Sequence, residues 1–223
     1  LGDLPAPTLP SGKLTPALRA QEKLGWRLGV EAYTFHKYTF FEAVDKTAEL
    51  GLAYIGALSF QKVSDKIPKN FTPDLTNDEL REIRLKLDAA GLRLLTYFIQ
   101  TIPGDEAGCR KIFEFGRKLG IECFMSEPAP EALPLIDRFC QEYDIRVALH
   151  NHDRKASPAY WHPDAVLKAC EGRSAHIGAC ADVGYWLRDG IDPVAAVEKL
   201  GKRLTTLQLH DLKGLGSIKS LGG

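Results

Sequence analysis

Seven short apolar runs, each followed by a helical pattern, constrain this chain more than any other feature. They span residues 26–33, 53–60, 92–99, 122–126, 146–150, 175–181 and 204–210. Their starts fall 27, 39, 30, 24, 29 and 29 residues apart, the cadence of repeated βα units around a parallel sheet. Between the runs, residues 41–50 and 80–90 place apolar side chains at three-to-four spacing, which is one face of a helix. Gly51, Gly91 and Gly120 each close a helical run, while Asp78 and Asp192-Pro193 suit helix starts. The expected fold is α/β, a (β/α)8 TIM barrel over residues 24–223 that lacks or abbreviates its eighth βα unit. An extended lead-in over residues 1–23, rich in proline (Pro5, Pro7, Pro10, Pro16), precedes it. Beyond Lys213 only residues 218–221 offer the stub of an eighth strand. The barrel is therefore incomplete, closed by an unusual device, or continued by residues outside this sequence. An open parallel edge invites a partner, so a homo-oligomer is expected.

Composition excludes more than it selects. The 223 residues suffice for one domain with a buried core. Lys+Arg and Asp+Glu both count 29, so no net charge points to nucleic acid or to an anionic membrane. No apolar run approaches the roughly 20 residues of a membrane span. Cys109, Cys123, Cys140, Cys170 and Cys180 are scattered without a CxxC pair and read as reduced, buried thiols. The sequence begins at Leu1 without a signal sequence. Cytoplasmic residence is the expectation, and export after removal of a leader is the alternative.

The residues suited to chemistry gather at the ends of the later runs. His150-Asn151-His152 closes the fifth run, Asp182 the sixth and His210 the seventh. In a parallel α/β fold the carboxyl ends of consecutive strands converge on one crevice. Three imidazoles and a carboxylate meeting there suit a divalent metal. His150 and His152 lie two apart, so on a strand they share a side. Asp182 follows a run of small apolar residues and needs compensation by a metal or cation, unless it caps the next helix. Glu127 ends the fourth run before Pro128 and is a candidate acid, base or replacement ligand, or else the partner of a neighbouring cation. Glu31 near the end of the first run and His36 just after it are expected to line the same mouth. Tyr33, Phe35, Trp161 and Trp186 offer an apolar wall for a sugar ring, with core packing as the alternative. Lys213 is placed to bind a phosphate or an oxyanion, or to sit solvated in a loop.

Together with the opening Gly29–Phe35, the Ala48–Ile55 and Ala90–Leu94 phrases, the Asp182–Trp186 segment and the Leu209–Lys213 segment, these residues resemble the xylose isomerase-like TIM-barrel superfamily over about residues 26–213. That superfamily includes sugar phosphate isomerases and epimerases. The resemblance implies one divalent ion (Mn, Co, Zn, Ni or Mg) held by ligands from strands five to eight. By position these are His150, where many relatives have Glu, with Asp182 and His210; the strand-eight Glu has no counterpart here. It further implies a metal-dependent sugar or sugar phosphate isomerase or epimerase that removes a proton α to a carbonyl. Glu127 or His152 is the expected catalytic base, and Glu31, His36, Trp186 and Lys213 are the expected substrate contacts. Two alternatives remain open: a lyase or deglycosylating enzyme on keto-sugars using the same site, and a non-catalytic sugar- or metal-binding subunit.

Overall fold

Every one of the seven apolar runs forms a strand in the computed structural model, which describes residues 23–210 and 212. Strands β1 (Gly29–Glu31), β2 (Tyr54–Leu58), β3 (Arg93–Phe98) and β4 (Cys123–Ser126) are followed by β5 (Arg146–His150), β6 (Ile177–Asp182) and β7 (Leu204–Gln208). They lie side by side in sequence order, and every neighbouring pair is parallel. Helices α1 (Phe40–Glu49), α2 (Asn77–Ala90), α3 (Glu106–Leu119) and α4 (Leu133–Tyr143) connect the first five strands. Helices α5 (Pro163–Ala169), α6 (Val183–Arg188) and α7 (Pro193–Leu200) connect the rest. The sheet is a curled TIM-barrel-like array that lacks an eighth unit among the described residues. Residues 218–221 and all of the lead-in before Lys23 lie outside the described residues.

Local chemistry sets the element ends. Strand β1 is shorter than its apolar run because Ala32–Phe35 turns into a 3-10 helix, and Trp26 and Leu28 are exposed. Helices α1 and α2 each begin with a capping box. The hydroxyl of Thr39 or Thr76 accepts the N–H of Glu42 or Glu79, whose carboxylate accepts the threonine N–H in return. Asp78, expected to start α2, sits instead in its first turn, because Thr76 has the Glu79 partner that completes the reciprocal pair. Asp192 does cap α7, and Gly91 and Gly120 end α2 and α3 in the left-handed conformation.

Strand alternation sorts the side chains into two layers. Inside the barrel, Cys180 Sγ lies 3.6 Å and Gln208 Nε2 3.4 Å from Met125 Sδ. Facing the helices, Tyr97 and Phe124 join Phe71, Phe113, Phe115 and Phe139 in a chain of edge and tilted ring contacts. Phe124 is fully buried, and burial of such a ring contributes about 1.5–3 kcal/mol. All five cysteines are free and buried. No helix among the described residues is long and apolar enough to cross a membrane.

Arg203 braces the entry to β7. It ends a short 3-10 turn, Gly201–Arg203. Its guanidinium donates to the carbonyls of Cys170, Arg173, Ser174 and Ile177 at 2.6–3.2 Å. The fork thereby satisfies the end of α5 and the turn into β6 at once, which a lysine ammonium cannot do with the same geometry. Arg203→Ala is expected to lower stability by about 2–4 kcal/mol, with partial recovery in Arg203→Lys. Urea unfolding checks this, and a loss below about 0.5 kcal/mol for the alanine variant would remove the bracing role.

Candidate functional site

The carboxyl ends of β4 to β7 carry a connected cluster of imidazoles and carboxylates. Glu127 follows β4, held by its N–H donating to the Gln100 carbonyl at 2.9 Å. Pro128 comes next, and its carbonyl accepts the Tyr160 hydroxyl at 2.7 Å. The end of β5 is locked to that of β6 through Asn151. Its amide donates to the Asp182 carbonyl at 2.9 Å, and the Asp182 N–H donates to its Oδ1 at 2.8 Å. Because His150 and His152 flank Asn151, this two-way lock also fixes where both imidazoles emerge.

Asp182 is the hub of the next two strands. Its Oδ1 accepts the Gly184 and Tyr185 N–H groups at 3.0 and 3.2 Å, which caps α6. His210 Nδ1 lies 3.0 and 3.2 Å from the two Asp182 oxygens and so donates to the carboxylate. Gly184 makes room for that imidazole, since a Cβ there would stand 2.6 Å from His210 Cγ. Of the two readings of Asp182 open from the sequence, the helix cap is the one seen, and the same carboxylate also contacts His210.

His150 shows what the cluster is suited to bind. Its Nε2 meets Gln208 Oε1 at 3.2 Å. The Gln208 amide nitrogen is turned toward Met125. An amide oxygen only accepts, so Nε2 carries a proton, and in the neutral imidazole Nδ1 keeps its lone pair. That Nδ1 is buried, has no hydrogen-bond partner and lies 3.6 Å from Glu127 Oε1. His152 Nδ1 contacts the same carboxylate oxygen. A lone pair facing a carboxylate is repulsive unless a cation lies between them. The donor atoms of Glu127, His150 and His152 all fall within 4.8 Å of one another, the group so placed among the described residues. Two imidazole nitrogens and one carboxylate oxygen fit a divalent transition metal. Burial on its own would raise the Glu127 carboxyl, but the adjoining His150 and His152 imidazoles outweigh it and bring it down to about 2.

The set implied by the resemblance, His150, Asp182 and His210, is contiguous but differently arranged. Asp182 Oδ2 stands 4.0 Å from His150 Nε2, and the same carboxylate carries the His210 contact on its other side. Aromatic rings enclose the cluster. Phe98 packs edge-on to His150 and His152 at 5.3 and 6.1 Å. Tyr185 touches His152 at 4.8 Å, His210 at 5.4 Å and His150 at 6.3 Å. Burial first, and the Asp182 charge second, raise the Tyr185 hydroxyl, so it stays a phenol able to donate. Tyr185, Phe98, Gln208 and the Asn151 lock were not singled out from the sequence. The period-two spacing of Gln208 and His210 was the available signal for one of them.

The remaining expected contacts divide. His36 is exposed at the rim, stacked on Tyr33 at 4.9 Å. Trp186 does not line the crevice. It is 1% exposed and its indole N–H donates to the Trp161 carbonyl at 3.2 Å, so α6 turns it into the core, a correction to the expected substrate contact. Lys213 lies outside the described residues. Glu31 ends β1 with its Oε2 accepting from Thr96 Oγ1 at 3.4 Å and its Oε1 buried without a partner. Gly56 leaves space for it, since a Cβ there would lie 2.2 Å from Oε2.

Burial pushes the Glu31 carboxyl up to about 8, against the lowering by the Thr96 hydroxyl and the Ala32 N–H. An unfolded glutamate titrates at 4.5. Between these values only the folded chain keeps the proton, so stability falls as pH rises through the window. Glu31→Gln is expected to flatten that decline and to gain on the order of a few kcal/mol over the parent at pH 8. Urea midpoints at pH 5 and pH 8 measure it, and parallel profiles for the two proteins would contradict it.

No protein-family model matches the chain, and no curated protein does. Solved structures do. An uncharacterised protein from Parabacteroides distasonis is 33% identical over 82% of this chain and 73% of its own, with a TM-score of 0.69. A D-psicose 3-epimerase, solved in the presence of D-fructose, is 15% identical over 81% of this chain and 72% of its own, with a TM-score of 0.64. A sugar phosphate isomerase/epimerase from Parabacteroides distasonis is 15% identical over 81% and 73%, with a TM-score of 0.57. The last two share the fold.

Proposed function

Because this chain belongs to one family with the uncharacterised Parabacteroides distasonis protein and has the fold of sugar epimerases and isomerases, we propose that it is a metal-dependent sugar isomerase or epimerase. The observation that carries the proposal is the buried, partnerless His150 Nδ1 facing Glu127 beside His152. Glu127, His150 and His152 would hold one divalent ion. Bound there, the ion supplies Lewis acidity toward a carbonyl and its neighbouring hydroxyl and offsets the charge that develops when an α-proton leaves.

The chain's own residues would do the rest. Asp182 fixes the proton of His210 on Nδ1, which leaves Nε2 as the base that takes the α-proton. This assignment exchanges the roles implied by the resemblance: Glu127 and His152 go to the ion, while His210, oriented by Asp182, takes the proton. Asp182 is almost wholly buried and His210 is one-third exposed, so the base reaches the crevice while its orienting carboxylate stays dry. Tyr185 touches three of the imidazoles and stays protonated, so it can donate to a substrate oxygen. Phe98 excludes water from the other side of the cluster.

Exchange of the α-protons of ketohexoses with D2O, followed by proton NMR, tests the proposal with protein loaded with Mn2+ or Co2+. The parent is expected to exchange them, and His210→Ala to be slower by about 10²–10⁴-fold. Glu127→Gln is expected to lose the dependence on added metal. Metal-loaded parent protein that leaves every ketohexose α-proton unexchanged would overturn the assignment.

A further inference from the structure

A second concavity lies beside the carboxyl end of β2. It has a volume of about 400 Å3 and lies between residues 36–42 and 58–65. None of the cluster residues lines it, so it is separate from the candidate metal site. We propose that this cavity is a second saccharide subsite, so that a sugar carrying a second linked ring is bound in preference to the free monosaccharide. The inference rests on the sugar reading given above and narrows it.

Three observations carry it. The first is an unanswered acceptor. Gln61 is 4% exposed and lines the cavity, and its Nε2 donates to the carbonyls of Phe35 and Tyr38 at 3.4 and 3.1 Å. Those two carbonyls fix which way the amide faces, and its Oε1 is left buried without a partner. A buried acceptor of this kind favours a ligand that brings a hydroxyl.

The second observation is charge. Lys37 and Lys62 share the lining with Glu42 and Asp65, and Lys62 is already paired with Asp65 at 2.8 Å. A phosphate would meet two carboxylates there. A neutral polyol both donates and accepts, and so matches a lining that offers both signs.

The third observation is the path between the two sites. Phe60 lines the cavity and is half exposed. Its ring packs on Phe98 at 6.2 Å, and Phe98 packs on His150 at 5.3 Å. Tyr33, 57% exposed, closes the row by contacting both Phe60 and His36. Two ring-to-ring steps, through the buried Phe98, therefore join the cavity wall to the cluster. The exposed Phe60 and Tyr33 rings beside the cavity suit the C–H faces of pyranoses.

Isothermal titration of the metal-loaded protein tests the inference, using methyl glucoside and a panel of glucose disaccharides with α and β linkages. The parent is expected to bind at least one disaccharide about tenfold tighter than methyl glucoside. Phe60→Ala, and Phe60→Leu that keeps apolar contact with Phe98, should each bring that ratio to within about threefold, with Mn2+ affinity unchanged. Equal affinities for one ring and two, or an advantage that survives both variants, would overturn the second subsite and leave the sugar reading standing. Metal binding without affinity for any saccharide would remove the sugar reading and this inference with it. Tighter binding of inorganic phosphate than of the disaccharides would replace the polyol with an anion.

Discussion

Parallel pairing in strict sequence order forces the carboxyl ends of all seven strands onto one rim. Each βα crossover returns the chain to the same edge, so residues some thirty positions apart in sequence become neighbours in space. Glu127, His150, Asp182 and His210 each follow or close one of four consecutive strands. Their meeting is a consequence of topology before it is one of chemistry. What topology cannot supply is the final ångström, and the Asn151–Asp182 lock, the Asp182 cap and the space left by Gly184 supply it.

The cluster carries an electrostatic tension that the fold leaves in place. His150 Nδ1 and Glu127 Oε1 face one another with no hydrogen bond between them, although both are buried. Glu31, deeper in the barrel, keeps a carboxylate oxygen without a partner and holds its proton near neutral pH. Unpaired groups of this kind each cost about 1–3 kcal/mol of stability. The aromatic layer between sheet and helices, with Tyr97, Phe113 and Phe124 fully buried, offsets such costs without touching the site.

Much of this was legible in the sequence, and the failures have physical causes. Strand positions followed from apolar runs, since a strand buried on both faces must be apolar throughout. The rim histidines and acids were legible because polar residues closing such runs have few other places to go. Roles were harder, because spacing places Cα atoms and not ring nitrogens. The identity of the His150 atom facing Glu127 depends on Gln208, a residue 58 positions away. Trp186 failed as a substrate contact because the cap at Asp182 sets the rotation of α6, and that rotation points the indole inward. Tyr185, one residue earlier, takes the face toward the imidazoles instead.

The central claim is that Glu127, His150 and His152 form one divalent-metal site. X-ray absorption spectroscopy on protein loaded with Co2+ or Zn2+ tests it most directly. The account predicts one equivalent bound per chain, with two imidazole nitrogens and at least one carboxylate oxygen in direct contact. His152→Ala should remove one imidazole from the spectrum, and Glu127→Gln should weaken binding. A chain that takes up no metal, or an ion whose surroundings are the same in the parent and both variants, would contradict the account.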